Sequence, residues 1–359
     1  MNRIYNFSAG PGILPEVVLQ EAAQGVLEIN GSGMSILEVS HRGNDYEAIH
    51  SQTQTLLLKV LGLNAEDYTV LFLGGGASTQ FAMLPMNFLN SGDTADYIHT
   101  GEWAIKAIKE AQRFGNINIA GTSEPDKHSK IPTVISLSDG AKYVHITTNN
   151  TIEGTEWSYI PETGDIPLIA DASSDILAKG IDYSKFTMIY AGAQKNAGPA
   201  GVTMVIVRKS FLATANTDIP TIFSYKTHDK ADSMYNTPPV FSIYVVGLVL
   251  KWIEEQGGLS AIAANNVAKA KLIYDALDEF PDFYDPAVTV KSDRSLMNIT
   301  YRLKNADKDK AFLEGAAVRK MDGLKGHRSV GGFRASIYNA FPSKGCELLA
   351  DYIREFARS

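Results

Sequence analysis

The sequence predicts an α/β protein, with a large domain on a mostly parallel sheet flanked by helices and a smaller C-terminal α+β domain. Three observations carry this. Apolar runs of strand length alternate with helical spacing between Thr69 and Val207, the pattern of a parallel sheet wrapped by crossovers. Glycine-rich or small-residue turns follow several of those runs, where the carboxyl ends of parallel strands gather. Beyond Pro281 the pattern shifts to short strands mixed with helices. With 359 residues, 45% of them apolar, the chain is long enough for two cores. The expected division is 15–256 for the large domain and 257–359 for the small one, with residues 1–14 packing near the active site and the small domain.

Taken in order, Pro15 to Ile29 has helical spacing, with Pro15 in the first turn, and Asn30-Gly31-Ser32-Gly33 stops it. Asp45 to Leu61 is a second helix, with Ile49, Thr53, Leu56, Leu57 and Val60 on one face and Gly62 closing it. A strand over Thr69–Leu73 leads to a helix over Ser78–Leu89, and a strand over Thr94–His99 leads to a helix over Glu102–Phe114. Strands follow at Asn116–Ala120, Tyr143–Thr148, Leu168–Ala170, Thr187–Ala191 and Val202–Val207. Ala213 to Pro239 has little pattern, and a loop of that length usually serves function or an interface. Helices are expected over Ser242–Gln256 and Leu259–Glu279, the latter presenting Ile262, Val267, Ile273 and Leu277. The last domain reads as strands at Val288–Lys291, Asn298–Arg302 and Arg334–Ile337 with helices at Asp307–Lys320 and Cys346–Ala357.

Net charge is -7, which argues against a nucleic-acid backbone or an anionic membrane surface as a general partner. Any anionic ligand must then be met by local basic groups. Cys346 is the sole cysteine, so no intramolecular disulfide is possible. Met1 to Asn6 lacks the apolar core of a signal peptide, and Val240 to Ile253, the longest apolar stretch, carries Ser242, Tyr244 and Lys251. A cytoplasmic protein with no membrane span is expected.

The chemistry centres on Lys195, set in Ala191-Gly192-Ala193-Gln194-Lys195-Asn196-Ala197-Gly198 between two buried strands. A lysine desolvated there has a lowered pKa and becomes a nucleophile for carbonyls. Asp171 ends the preceding strand, and adjacent parallel strands deliver their ends to one crevice. An acid with a lysine is the pair that pyridoxal phosphate needs, the acid for the pyridinium nitrogen and the amine for the carbonyl. Gly74-Gly75-Gly76-Ala77-Ser78 joins a strand to a helix and suits a phosphate, without the Gly-Lys-Ser/Thr ending of a nucleoside-triphosphate loop. Trp103 follows the next strand, where its face could stack on an aromatic ring. His41-Arg42, His327-Arg328 and Arg334 lie in or beside glycine-containing turns, as anion capture requires. No metal site is expected.

With these pieces laid out, the chain resembles the phosphoserine aminotransferases, a class V family of the fold-type I pyridoxal-phosphate enzymes. The matching segments are Asn6-Phe7-Ser8-Ala9-Gly10-Pro11, Glu38-Val39-Ser40-His41-Arg42, Gly74 to Ser78, Asn149-Asn150-Thr151-Ile152-Glu153-Gly154-Thr155, Asp171-Ala172-Ser173-Ser174, Gln194-Lys195-Asn196, Asn236-Thr237-Pro238-Pro239 and Arg334-Ala335-Ser336-Ile337-Tyr338-Asn339-Ala340. The resemblance implies a sheet of the seven-stranded type, Lys195 as the Schiff-base residue and Asp171 as partner of the ring nitrogen. It implies Trp103 stacked on the ring, Thr151 on its hydroxyl side, and Ala77, Ser78 and Gln194 at the cofactor phosphate. Asn236 and Thr237 would come from the second subunit of a homodimer whose active site lies at the interface. Ser8, His41, Arg42, His327, Arg328 and Arg334 would bind substrate. The implied reaction moves an amino group from L-glutamate to 3-phosphohydroxypyruvate in serine biosynthesis, with 4-phosphohydroxythreonine in pyridoxine biosynthesis as a further substrate in parts of the family. Some relatives carry an arginine in the glycine-rich segment where this chain has Ala77-Ser78, so that role falls to other groups here.

Three rivals remain. A cysteine desulfurase needs a thiol on a mobile active-site loop, and Cys346 instead begins the terminal helix. Another class V aminotransferase leaves the two His-Arg pairs idle. A non-catalytic carrier of pyridoxal phosphate or phosphate would use the cradle without the chemistry.

Overall fold

The computed structural model describes residues 3–359; Met1 and Asn2, which belong to the N-terminal segment expected to pack near the active site, lie outside them. In chain order the elements are β1 (Tyr5–Asn6), α1 (Glu16–Leu27), α2 (Asn44–Leu61), β2 (Tyr68–Leu73), α3 (Gly76–Phe88), β3 (Thr94–His99), α4 (Glu102–Ala111), β4 (Asn116–Thr122), β5 (Val144–Thr147) and β6 (Leu168–Asp171). Then come β7 (Met188–Gly192), β8 (Thr203–Arg208), α5 (Lys209–Leu212), α6 (Tyr225–Lys230), α7 (Val240–Glu255), α8 (Gly258–Asp278), β9 (Tyr284–Pro286), β10 (Asn298–Leu303), α9 (Asp309–Val318), β11 (Met321–Asp322), β12 (Phe333–Ser336) and α10 (Ser343–Ala357).

Seven strands form the main sheet in the order β2-β8-β7-β6-β5-β3-β4. The run from β7 to β4 is parallel, and β8 is antiparallel to both its neighbours. The reason lies in the connection. Residues 193–202 are too few for a helical crossover, so the chain leaving β7 can only turn back. That tight turn carries Lys195.

Alternation along β2 separates the two faces of the sheet. Val70 and Phe72 join one core with Ile146, Ile189 and Ile253, while Leu71 and Leu73 join the other with Tyr97, Phe81 and Tyr190. A further core gathers Phe7, Ile299, Tyr301, Phe312, Phe333 and Leu349 around the three-stranded sheet β12-β10-β9. Helix α2 ends as its sequence requires, with Gly62 left-handed at φ 68°.

Several expectations need correction. Val288–Lys291 is not a strand; β9 lies earlier, at Tyr284–Pro286, and Lys291 opens a 3-10 turn. Val290 is exposed, so the apolar run buries only Val288 on this element. Val267 is likewise half exposed, because the buried face of α8 follows Ile262, Asn266, Ala270, Ile273 and Leu277. Residues 213–239 are not one loop, since α6 lies within them, capped by the Ser224 hydroxyl, which accepts from Thr227 N. The parallel pair β1–β11 has too short an apolar signal to be read from sequence.

Candidate active site

Asp171 is the last residue of β6 and pairs in register with Thr147 on one side and Tyr190 on the other. It is buried, and Ser173 donates to its Oδ1 twice, from the backbone at 3.0 Å and the hydroxyl at 2.6 Å. Both bonds fall on one oxygen, leaving Oδ2 for a ligand. Burial raises this carboxyl's pKa, while the Ser173 bonds and the charge of Lys195 pull it down.

The β7–β8 turn is pinned by Ala193, whose amide donates to Val202 O at 3.0 Å and whose carbonyl accepts from Gly198 N at 2.8 Å. Held there, Lys195 Nζ donates to Thr151 Oγ1 at 2.7 Å. Burial lowers the pKa of Lys195 to about 8; Asp171 opposes that shift and Arg334 adds to it. A measurable share of neutral amine near physiological pH is what nucleophilic attack on a carbonyl needs.

Around Lys195 lies a cavity of about 590 Å³, lined also by Ala9, Gly10, Gly75, Gly76, Trp103, Thr151, Gln194, His327 and Arg334. Gly75 caps α3 in a left-handed conformation, and a side chain there would collide with Thr79. Gly76 is also left-handed, at φ 66°. Only glycines let the first amides of α3 face an anion so closely. Trp103 sits in the first turn of α4 with its ring centroid 5.7 Å from Lys195 Nζ, and its indole N–H is buried without a partner. Arg334 donates from Nη1 to Thr151 O at 3.2 Å and keeps Nε buried and unpartnered. Burial lowers the pKa of His327, and the charges of Arg334 and Arg328 lower it further.

The structure thus brings Lys195, Thr151, Trp103, Gln194, His327 and Arg334 to one cavity, while Asp171 does not line it and acts on Lys195 by its charge from the buried end of β6. Ala77 and Ser78 occupy the first turn of α3 beside Gly76 but do not line the cavity. Ser8, His41, Arg42 and Arg328 do not line it either; Arg42 and Arg328 are exposed, and His41 has its Nε2 buried without a partner. Asn236 and Thr237 are exposed too, and Asn236 borders a separate cavity of about 220 Å³ on the other side of Gly74 and Gly75.

Residues that sequence reasoning did not single out also belong here. Tyr338 donates to Ala9 O at 2.6 Å, and Gly12 N donates to Gln194 O at 2.7 Å, so the N-terminal segment is fastened over the lysine turn. Gly12 must be glycine, since a Cβ there would lie 2.7 Å from the Tyr338 ring. Glu153 stands behind the Thr151 loop, buried, with its carboxyl pushed up to about 7. The signal for it was present in sequence as an acid among small and apolar residues after a buried strand. Cys346 lies in the small core, where burial pushes its thiol up to about 12, so it supplies no thiolate.

The residues present fit pyridoxal phosphate. A glycine cradle at a helix N-terminus suits the phosphate, Asp171 Oδ2 suits the ring nitrogen, Trp103 offers a flat face, and Lys195 an amine of lowered pKa.

The family model "Aminotransferase class-V" matches residues 4–349. A phosphoserine aminotransferase of Niallia circulans is 51% identical over 359 residues, covering 99% of each chain. One from Bacillus subtilis is 51% identical over 358 residues, again covering 99% of each. Among solved structures, a phosphoserine aminotransferase from Bacillus circulans subsp. alkalophilus superposes with a TM-score of 0.97 at 50% identity, covering 100% of this chain and 99% of that one. A phosphoserine aminotransferase from Trichomonas vaginalis described as PLP bound gives 0.92 at 38% identity, over 98% of this chain and 100% of that one. With a family model matching residues 4–349 and full-length relatives at this identity, the chain belongs to the class V aminotransferases, among the phosphoserine aminotransferases.

Proposed function

We propose that the protein transfers an amino group reversibly from L-glutamate to 3-phosphohydroxypyruvate, giving O-phospho-L-serine and 2-oxoglutarate. The observation that carries this reading is that Lys195, with its amine lowered to about 8, shares one cavity with Arg334 and His327. An amine for the chemistry and cations for an anionic substrate are thereby within reach of each other. Pyridoxal phosphate is the cofactor, and when bound it supplies an electron sink for charge developing at the substrate carbon.

Lys195 would hold the cofactor through Nζ, and as a free amine that Nζ would take the proton from the substrate carbon and carry it. Thr151 orients that nitrogen through the 2.7 Å bond. Asp171 keeps the ring nitrogen protonated through Oδ2. Trp103 covers the ring and excludes water from one face. Gln194, the amides of the α3 turn, Ala77 and Ser78 hold the phosphate. Arg334 and His327 bind the substrate's anionic groups, with Ser8, His41, Arg42 and Arg328 completing the site when domains or subunits approach. Both half-reactions use one cavity, so turnover alternates between donor and acceptor.

The active form is a homodimer in which Asn236 and Thr237 of a second subunit reach the phosphate. What supports this is that both side chains are exposed and lie away from the cavity of their own chain. Mixing Lys195→Ala with Asn236→Asp protein tests it: hybrids with one intact site should regain activity, and none should appear if each chain works alone. The division at 15–256 and 257–359 and a cytoplasmic location complete the proposal. No helix among the described residues is long and apolar enough to cross a membrane.

The main test is spectral and kinetic. L-Glutamate should convert the visible band of the bound cofactor to the amine form, and 3-phosphohydroxypyruvate should reverse it. A band unmoved by glutamate would mean a carrier. Running 4-phosphohydroxythreonine alongside decides whether it too is a substrate.

A further inference from the structure

Glu153 is 8% exposed and its carboxyl does work that no neighbour shares. Helix α4 begins after Gly101, which has no side chain to cap it, and Glu153 Oε1 accepts from Glu102 N at 2.8 Å in place of a cap. Residue 101 must be glycine for this, since a Cβ there would lie 2.5 Å from the Glu153 carboxyl. The next residue of α4 is Trp103. On its other side Glu153 is fixed by Thr300 Oγ1 of β10, which donates to its carbonyl at 2.8 Å. Its Oε2 is buried without a hydrogen bond, and so is Nε of Arg334, the cation whose charge acts on it.

We propose that Glu153 is a positioning residue for the anion-binding arm: its carboxyl caps the helix carrying Trp103 and, when ionised, draws on Arg334, setting both ring face and arm against Lys195. This rests on the reading of Arg334 as an arm for the anionic substrate. An ionised Glu153 competes with a bound anion for Arg334, so anion affinity in the wild type falls as Glu153 loses its proton. Burial, foremost, pushes that carboxyl up to about 7, and Glu102 adds to the shift while Arg334 and the Glu102 amide oppose it. The other charged groups bordering its far side are Asp126, Lys127, His128, Asp285 and Arg302. None of them lines the cavity of Lys195.

The test uses the cofactor-loaded protein and inorganic sulfate, whose charge is constant between pH 6 and 8, titrated by calorimetry. Glu153→Gln keeps an oxygen for the Glu102 amide and removes the charge. It should bind sulfate about fivefold more tightly than wild type at pH 8 and equally at pH 6. Hydrogen exchange at Glu102 should be unchanged in Glu153→Gln and about tenfold faster in Glu153→Ala. If Glu153→Ala does not fold, the sulfate titration of Glu153→Gln decides alone. Equal sulfate affinity for wild type and Glu153→Gln at both pH values overturns the proposal, as does unchanged exchange in a folded Glu153→Ala. Neither measurement depends on amino transfer, so a protein that shows both effects yet converts no substrate would sink the proposed reaction and leave this inference standing.

Discussion

Lys195 Nζ donates a 2.7 Å hydrogen bond to Thr151 Oγ1, which ties the turn after β7 to the loop after β5 across the carboxyl end of β6. Asp171 lies between them at that strand's end. The amine is thereby aimed by one neighbour and charged or discharged by the other.

Lys195→Ala should show no visible cofactor band of the lysine adduct and should lose turnover by on the order of 10⁴. Thr151→Val, which removes only the aiming bond, should keep the band and lose about tenfold. Asp171→Asn should lie between these in turnover, on the order of 10²–10³, and should lower the pH at which Lys195 discharges, since Asp171 holds that pKa up. Absorbance spectra and steady-state rates check all three, and Lys195→Ala protein with wild-type turnover would end the assignment.

The cofactor-free protein should become more stable as pH rises from about 8 towards the ordinary lysine value. Lys195 has a folded pKa of about 8, below its unfolded value, so across that window the unfolded chain binds the extra proton. Buried Lys269, lowered to about 8 and donating to the carbonyls of Ile337, Tyr338 and Asn339, contributes in the same direction. Lys195→Met should therefore flatten part of the rise and leave the part due to Lys269. Urea midpoints between pH 7.5 and 10 measure it; a slope equal to wild type counts against a discharged Lys195.

Gly75→Ala should destabilise by about 1–3 kcal/mol through its left-handed backbone, with a further penalty from the Thr79 side chain. Gly76→Ala, equally left-handed but with open space around its Cβ, should cost only that backbone share of about 1–3 kcal/mol, without the Thr79 penalty. Both should weaken cofactor binding, Gly75→Ala more. Thermal midpoints and cofactor titrations in which Gly76→Ala suffers as much would refute the steric argument.

Lys179→Met should cost about 3–5 kcal/mol, because Lys179 Nζ lies 2.6 Å from Glu156 and 3.5 Å from Asp175 and also donates to Trp157 O at 2.8 Å. Without it two buried carboxylates face each other. Asp175 is already pushed up to about 6 by burial even with its lysine, and Thr148 donates to it. In the variant the folded state gains by taking a proton, so the loss should shrink from pH 7.5 to pH 5. Denaturant midpoints at the two pH values test the direction.

Much of the site was legible from residue order. Asp171 ends one buried apolar run and Lys195 lies in the turn just after another, and strand ends in a parallel sheet converge whatever lies between them. The glycines at 74–76 announced a close backbone approach, and two of them are left-handed. Glu153 was not singled out, because its importance lies in a contact with Glu102 on another element, and nothing in the local pattern of 149–155 shows which strand or helix will face it. The strand placed at 288–291 failed for a related reason: an apolar run this short can extend or turn equally well, and β9 is chosen by pairing with β10.

Residue order alone carries the alternation of strands and helices, the turn that holds Lys195, the acid that accompanies it and the need for local cations in a chain of net charge -7. These are written in periodicity, glycine placement and residue type, all local properties. The antiparallel course of β8, the meeting of Arg334 and His327 with Lys195 in a cavity that His41 and Arg42 do not line, and the extent of each pKa shift come from the folded chain. Those depend on burial and on distances between residues remote in the chain, which long-range packing alone sets.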